Sequence, residues 1–389
     1  MPRLLTYALR SLWARRMTTL ATAGGIALLV FVLAASGMLA NGMRQTLQSA
    51  AAADRAIVME HDKWSETGSR LAQSVVSKVA AAPGVKLDER GLPLVTGETV
   101  SHLIIGEASD QRISTVQIRG VDANVFALRP NVRIVSGRAI QPNTTEAIVG
   151  RSILGRQEGL VLGGSFELSP SRPVTVVGVF ESGGSVLDSE VWVDVNTVRS
   201  SLGMEGYVSS VTATLVHPDQ FDGFSLALSE DKQDGLDAAR ETAYYTKISN
   251  AIASVIQALG VAEAVIFSLG AVCATMIVFY GAVAQRRREV GVLRALGFGS
   301  ASILSAFLAE SIALSLAGGA AGVGVALLTP LLDFNTVNFA TGQDVSFHFQ
   351  PQVGTLLTAL GVSALVGILG GMLPAIRAAR MHPVMAMRA

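Results

Sequence analysis

The sequence predicts an α-helical membrane protein in which four transmembrane helices carry an extracytoplasmic α+β domain inserted between the first and second. Three observations carry this. Half of the 389 residues are hydrophobic and only 15% are charged, with a mean hydropathy of +0.46, whereas a soluble domain carries about a quarter charged residues. Four long apolar runs are set around one large polar segment. All five lysines lie between Lys63 and Lys247, while eleven arginines stand outside residues 44–250, at the ends of the apolar runs.

Residues 1–16 read as an amphipathic helix carrying Arg3, Arg10, Arg15 and Arg16. Met17 to Met43 follows, 27 residues without a charge, and about 20 apolar residues suffice to span a hydrocarbon core of about 30 Å. A cleaved signal peptide has an apolar region of only about 7–15 residues, so retention as the first span (17–43) is expected. The second span covers 251–284, and the charge-free run Ala264–Gln285 ends one residue beyond it. The third covers 301–328, interrupted by Glu310, and the fourth 353–376. Arg286, Arg287, Arg288 and Arg294 lie between the second and third spans, and Arg377, Arg380 and Arg388 follow the fourth. The 329–352 connection carries Asp333 and Asp344 and no basic residue. Cytoplasmic loops hold the excess of Lys and Arg. Both termini (1–16 and 377–389) and segment 285–300 are therefore expected inside, with 44–250 and 329–352 outside.

Gly318 and Gly322, and likewise Gly367 and Gly371, are spaced one turn apart, which permits close helix approach in lipid. Glu310 falls near the cytoplasmic face and reads as a satisfied interfacial carboxylate, with a proton-relay role as the alternative. From Ile248 to Ala284 there is no proline, and 37 helical residues would measure about 55 Å. The excess is expected to project as a stalk, with a break at Gly260 as the alternative. The first helix can also continue through Arg44–Ala53.

Residues 44–250 hold 25 acidic against 19 basic residues, which leaves no nucleic-acid footprint. Strands are expected at Ala56–Glu60, Thr115–Arg119, Pro173–Phe180, Glu190–Val195 and Val208–Val216, from β-branched runs bounded by turn residues. Ser69–Ala82 and Pro218–Ser229 read as helices, and Asp122–Leu128 and Val149–Arg156 as short helical turns. The single cysteine, Cys273, cannot form a disulfide within the chain.

Chemistry-bearing motifs are scarce. None of the five lysines follows a glycine, so the sequence contains no phosphate-binding Gly-x4-Gly-Lys loop. His61, His102, His217, His348 and His382 have no metal-ligand spacing. No catalytic residue and no bound cofactor or metal is expected on this chain. The informative segment is Gln285–Ser300. Val290, Leu293, Leu296 and Gly297 are expected on one side of a short helix, with Arg287, Arg288 and Arg294 mostly elsewhere. Gly297 and Gly299 supply helix-stop chemistry, and Ser300 can cap the next helix. Such a helix suits either anionic lipid or a docking protein partner.

Arg286-Arg-Arg-Glu-Val-Gly-Val-Leu-Arg-Ala-Leu-Gly297 followed by Glu310, together with Leu373-Pro-Ala-Ile-Arg-Ala-Ala-Arg-Met-His-Pro-Val-Met-Ala-Met-Arg388, resembles the signature of FtsX-like ABC transporter permeases. Ala8-Leu-Arg-Ser-Leu-Trp-Ala-Arg-Arg16 looks like the leading amphipathic helix of that family. Glu146-Ala-Ile-Val-Gly-Arg151, Val174-Thr-Val-Val-Gly-Val179 and Val191-Trp-Val-Asp194 are similar to the MacB-like periplasmic core domain. The resemblance implies a bacterial inner-membrane protein working by mechanotransmission. Two permease protomers, identical or mixed, would pair in the lipid. Each would engage a separate ATP-binding subunit, which holds the ATP and Mg, through Arg288, Glu289, Val290, Leu293, Arg294, Leu296 and Gly297 as a coupling helix. Three tasks are compatible with it: export through a periplasmic adaptor and outer-membrane protein, which is preferred, lipoprotein extraction, and control of cell-wall hydrolases. A receptor signalling inward fits poorly, since no cytoplasmic segment is large enough for an output domain.

Overall fold

The computed structural model describes residues 16–106, 113–230, 235–331, 334–338, 343–347 and 349–381. In chain order the elements begin with helix α1 (Arg16–Gln48), strand β1 (Arg55–Glu60), β2 (Leu71–Ala72) and α2 (Ser74–Ala80). They continue with β3 (Val95–Gly106), β4 (Ile113–Val121), α3 (Val125–Leu128), β5 (Arg133–Gly137), β6 (Glu146–Gly150), β7 (Ser165–Ser169), β8 (Arg172–Glu181) and β9 (Glu190–Asp194). Next come α4 (Val195–Leu202), β10 (Tyr207–Val208), β11 (Ser210–Thr214), α5 (Phe221–Ser229), β12 (Leu236–Arg240) and α6 (Glu241–Gln285). The chain closes with α7 (Arg287–Ala295), α8 (Ser300–Ala326), β13 (Phe334–Asn338), β14 (Gln343–Phe347) and α9 (Val353–Ala379). The leading amphipathic helix, up to residue 15, and the end of the basic tail, 382–389, fall outside the described residues.

Two compact units result, one formed by the spans and one by residues 43–252 with the β13–β14 hairpin. Among the described residues four helices, α1, α6, α8 and α9, are long and apolar enough to cross a membrane. Small residues let them approach. A methyl added at Gly318 would lie 2.7 Å from the Ala23 carbonyl oxygen, and one at Gly322 would run into that of Ala27. Gly367 and Gly371 instead face Ser315 and Ser311, whose hydroxyl oxygens would sit 2.7 Å and 2.6 Å from such a methyl. The two glycine pairs thus seat different neighbours, α1 on α8 and α8 on α9. The Ser311 hydroxyl donates to the Gly367 carbonyl at 2.7 Å, the kind of polar contact that helps hold helices together in lipid.

Helix α6 is one continuous element of 45 residues, without a break at Gly260, and starts seven residues earlier than the proline-free stretch indicated. At about 1.5 Å per residue it measures roughly 67 Å. Helix α1 stops at Gln48, short of Ala53.

Within the inserted unit the strands run β12-β1-β11-β3-β4-β9-β6-β8-β5, with β7 beside β8. Strand β3 belongs to two lobes. Val95–Glu98 pairs with β11, and Thr99–Gly106 pairs with β4. The first lobe packs Val58, Val75, Val79, Val211, Phe224 and Leu228 together, and the second packs Val116, Val149, Phe166, Val176 and Val191. Helix α4 starts where the Asp194 carboxylate accepts from the Asn196 and Thr197 amides, and it ends at Gly203, whose φ of 64° suits a residue without Cβ.

Three sequence expectations are corrected here. Ser69–Ala82 is helical only over Ser74–Ala80, because Leu71–Ala72 pairs with Tyr207–Val208 and the Ser69 hydroxyl accepts from the Glu60 amide. Val149 is in a strand, not a helical turn, since β6 lies between β8 and β9 with its side chains buried. The connection between the third and fourth spans pairs as a hairpin, Phe334–Asn338 with Gln343–Phe347, where only a loop was expected.

Candidate functional site

Helix α6 ends at Gln285, Arg286 leaves the helical path (φ −100°, ψ 15°), and α7 restarts at Arg287. Glu289 in the first turn and Arg294 in the last complement the helix dipole. The end of α7 is a paired turn. The Phe298 amide donates to the Leu293 carbonyl and the Gly297 amide to that of Arg294. Gly297 has a φ of 92°, which explains why a glycine stands there. Ser300 does not cap α8 but is its first residue, with Gly299 at the cap position; its hydroxyl accepts from the Arg294 guanidinium.

Val290 is the anchor of α7. It is 3% exposed and packs with Phe279, Val283, Ile303 and Phe307. Arg286 adds a second anchor by donating to both Glu310 carboxylate oxygens at 3.0 Å and 3.3 Å. Glu310 is 6% exposed on α8, so this carboxylate is engaged by a side-chain ion pair. A cavity of about 50 Å³ lies under α7, lined by Arg286, Val290, Leu293 and Phe307 among others. Small-molecule pockets are usually about 300–1,000 Å³, so this space is a crevice in a packed joint.

The single stripe expected from the sequence splits. Val290 turns inward and Leu293 is half-buried, but Leu296 is 72% exposed and Gly297 is exposed too. Helix α7 stops at Ala295, so the turn at Leu296–Gly297 carries both residues out of the stripe. The outer surface of α7 instead shows Glu289, Val292 and Leu296, with Arg287 and Arg288 exposed beside them. Sequence reasoning missed Val292. A helical wheel finds it, because two residues of rotation place it roughly opposite the anchoring Val290.

A second constellation was not legible at all. In the inserted domain Arg119 donates to three carboxylates: Glu190 at 2.8 Å, Glu98 at 2.6 Å and Glu66 at 2.9 Å. Arg129 shares Glu98, with one contact at 3.2 Å. Glu190 also accepts from the Trp192 indole at 2.8 Å and from Gln117 at 2.6 Å, and Glu66 accepts from the Ser210 hydroxyl at 2.7 Å. All five charged groups are buried. Glu98 is the residue at which β3 passes from one lobe to the other. Nearby, Arg55 donates to Glu241 at 2.5 Å, to the Leu128 carbonyl at 2.9 Å and to the Ala50 carbonyl at 2.7 Å. Glu241 is the first residue of α6, and it also accepts from the Ala52 amide at 2.9 Å. The start of α6 is thus tied to the segment that follows α1.

Burial alone would raise the Glu98 carboxyl, but Arg129 and Arg119 outweigh it and hold the group below the usual carboxylate range. A depressed folded-state value stabilises the protein above the ordinary carboxylate pKa, and that contribution is lost as pH falls towards the folded value. Asp122 and Asp188, both raised by burial, act in the opposite sense. Glu98 is therefore isolated by difference. The melting-temperature gap between wild type and Glu98→Gln is expected to narrow from pH 7 to pH 4, and a pH-independent gap would contradict this.

The comparisons agree with this architecture. A family model described as the MacB-like periplasmic core domain matches residues 19–229, over half the chain, and one described as the FtsX-like permease C-terminal matches residues 261–383. The "Macrolide export ATP-binding/permease protein MacB 2" of Aeromonas hydrophila is 30% identical over 297 residues, covering 71% of this chain and 44% of that protein. The "Uncharacterized ABC transporter permease YknZ" of Bacillus subtilis is 26% identical over 229 residues, covering 56% of this chain and 54% of that one. The chain thus spans about half the length of these relatives. The solved periplasmic region of MacB from Actinobacillus actinomycetemcomitans covers 51% of this chain and 93% of its own, at 14% identity and a TM-score of 0.37.

Four apolar helices among the described residues, an α+β domain between the first two, and the family-model and sequence matches define a multi-pass permease of the ABC-transporter class, a protein of the bacterial inner membrane. Within that class the chain belongs to the FtsX-like permease family whose members carry a MacB-like periplasmic core domain.

Proposed function

We propose that this chain conveys ATP-driven motion of a separate ATP-binding subunit to its inserted domain, and thereby drives export of a substrate held outside the cytoplasmic membrane. Helix α7 is the contact, α6 the lever and the inserted domain the working end. The observation that carries this reading is the construction of α7. It is fastened by Val290 and the Arg286–Glu310 pair, yet it leaves Glu289, Val292 and Leu296 outward. A fastened helix with an unsatisfied outer apolar patch is suited to pass force between a docked protein and the spans. ATP and Mg²⁺ would sit on the partner. The preferred remaining partners are a second permease protomer and a periplasmic adaptor leading to an outer-membrane protein.

Co-expression with a P-loop ATP-binding subunit of this transporter class tests the contact. Leu293→Asp and Leu296→Asp together are expected to reduce co-purification at least tenfold. Leu296 is largely exposed and Leu293 half-buried, so Leu296→Asp alone, which leaves the fold intact, separates lost docking from lost packing. Retention of the partner at wild-type levels would rule α7 out as the docking element.

The orientation proposed is termini and α7 inside, inserted domain outside, because basic residues accumulate on the cytoplasmic side. After Cys273→Ser, an impermeant thiol reagent added to intact cells is expected to label Ser200→Cys and to miss Ser300→Cys. Both positions are exposed, whereas Ser185, in the Gly183-Gly184 turn region, is buried and unsuitable. The reverse labelling pattern would invert the topology.

A further inference from the structure

We propose that the inserted domain binds a small oxyanion-bearing molecule, a hydroxylated phosphate or carboxylate, in a cleft where its two lobes meet. The cleft has a volume of about 340 Å³. That lies within the usual range of about 300–1,000 Å³ for small-molecule sites, which favour such junctions. Asp54, Arg55, Lys86 and Thr214 line it from the first lobe, and Leu128 and Asn131 from the segment at the end of α3.

The donors give the site its chemistry. Thr214 is 6% exposed, and its hydroxyl has no hydrogen-bond partner among the described residues. Native proteins rarely leave a buried hydroxyl unsatisfied, so a group that enters the cleft and bonds it removes a standing penalty. Arg55 stands directly opposite Thr214 in the β1–β11 pairing. A guanidinium has five N–H donors, and three N–H groups of Arg55 are committed, to Glu241, Leu128 and Ala50. Lys86 is exposed and brings an ammonium with no ion pair recorded among the described residues. Asp54 is the one carboxylate lining the cleft. The uncommitted N–H groups of Arg55 and the Lys86 ammonium donate and cannot accept, which suits an oxyanion. Asp54 selects a ligand that also presents a hydroxyl.

The location has a consequence for motion. Arg55 holds the first residue of α6 and the Ala50 carbonyl just beyond α1, so an occupant bonded to Arg55 acts on the tie between those two segments. This proposal stands on the geometry of the inserted domain and does not rest on docking of an ATP-binding subunit.

Calorimetric titration of the full chain in detergent with glycerol 3-phosphate and with glycerate tests the site, with glycerol as the neutral control. At least one of the two anions is expected to bind saturably, and glycerol is expected not to. Lys86→Gln and Thr214→Val are each expected to weaken binding at least tenfold. Neither should lower the melting temperature, since Lys86 is exposed and the Thr214 hydroxyl bonds to no described residue. Absence of binding by both anions overturns the proposal, as does affinity unchanged in both variants. A lowered melting temperature in Thr214→Val also overturns it, because the hydroxyl would then serve a structural water.

Discussion

Arg119→Leu is expected to destabilise the inserted domain by about 3–5 kcal/mol, the effect typical of removing one partner from a buried ion pair. The physical reason lies in what remains. Glu66, Glu98 and Glu190 are all buried and all contact Arg119, so its loss leaves three carboxylates with Arg129 as the only guanidinium among the described residues still bonded to any of them. Burial alone would lower the Arg119 pKa, but Glu190, Glu66 and Glu98 outweigh this and hold the proton more firmly than water does. Trp192 supplies the readout. Its indole is fully buried and donates to Glu190, so its fluorescence reports the junction directly. Urea unfolding followed at Trp192, with Trp64→Phe and Trp13→Phe removing the other indoles, should show a clear fall in midpoint. A midpoint within experimental error of the parent would mean that the network contributes no net stability. Exposed pairs give the contrast. Arg138 and Glu146 form an ion pair that leaves Arg138 half exposed to screening water, and Arg138→Ala is expected to leave the unfolding midpoint close to that of the parent.

Val255→Pro is expected to abolish ATP-driven movement of the inserted domain while leaving the protein assembled. Proline removes one backbone donor and clashes with the carbonyl four residues earlier, so it kinks or breaks a helix interior at a cost of about 3 kcal/mol. Val255 lies well inside the continuous Glu241–Gln285 helix and its side chain is exposed, so the damage falls on the rod and not on core packing. The check uses a Cys273→Ser background with an environment-sensitive dye on Leu226→Cys, an exposed position on α5. In the complex with the ATP-binding subunit, the dye signal should change with ATP in the parent and stay flat in the proline variant. Co-purification of that subunit should be equal in both. An undiminished ATP response in the proline variant would remove α6 from the path of transmission.

Much of the architecture was legible in residues considered one stretch at a time. The apolar runs, the arginine flanks and the helix-stop glycine at Gly297 are local signals, and each corresponds to an element of the structure. Long β-branched strands such as β8 were legible for the same reason. The failures have a common cause. Ser69–Leu71 carries a helical pattern but meets β10 and the Glu60 amide, and these tertiary partners outweigh a weak local preference. Strands β3 and β5 carry too little apolar alternation to announce themselves. Leu296 sits at helical spacing from its neighbours, yet the turn that ends α7 takes it out of the stripe.

The sequence by itself determined the number of spans, the insertion of an α+β domain, and the segment that carries a short basic helix. Chain length in an apolar medium and the sign of flanking charge act along one dimension, and one dimension is enough to read them. The tertiary structure alone decided that Arg119 gathers three glutamates, that Arg55 ties the start of α6 to the end of α1, and that Val290 turns inward while Val292 faces out. Those outcomes depend on strand order, register and helix rotation. They bring together residues as distant in sequence as Glu66 and Glu190, or Arg55 and Glu241, and no local preference encodes such distances.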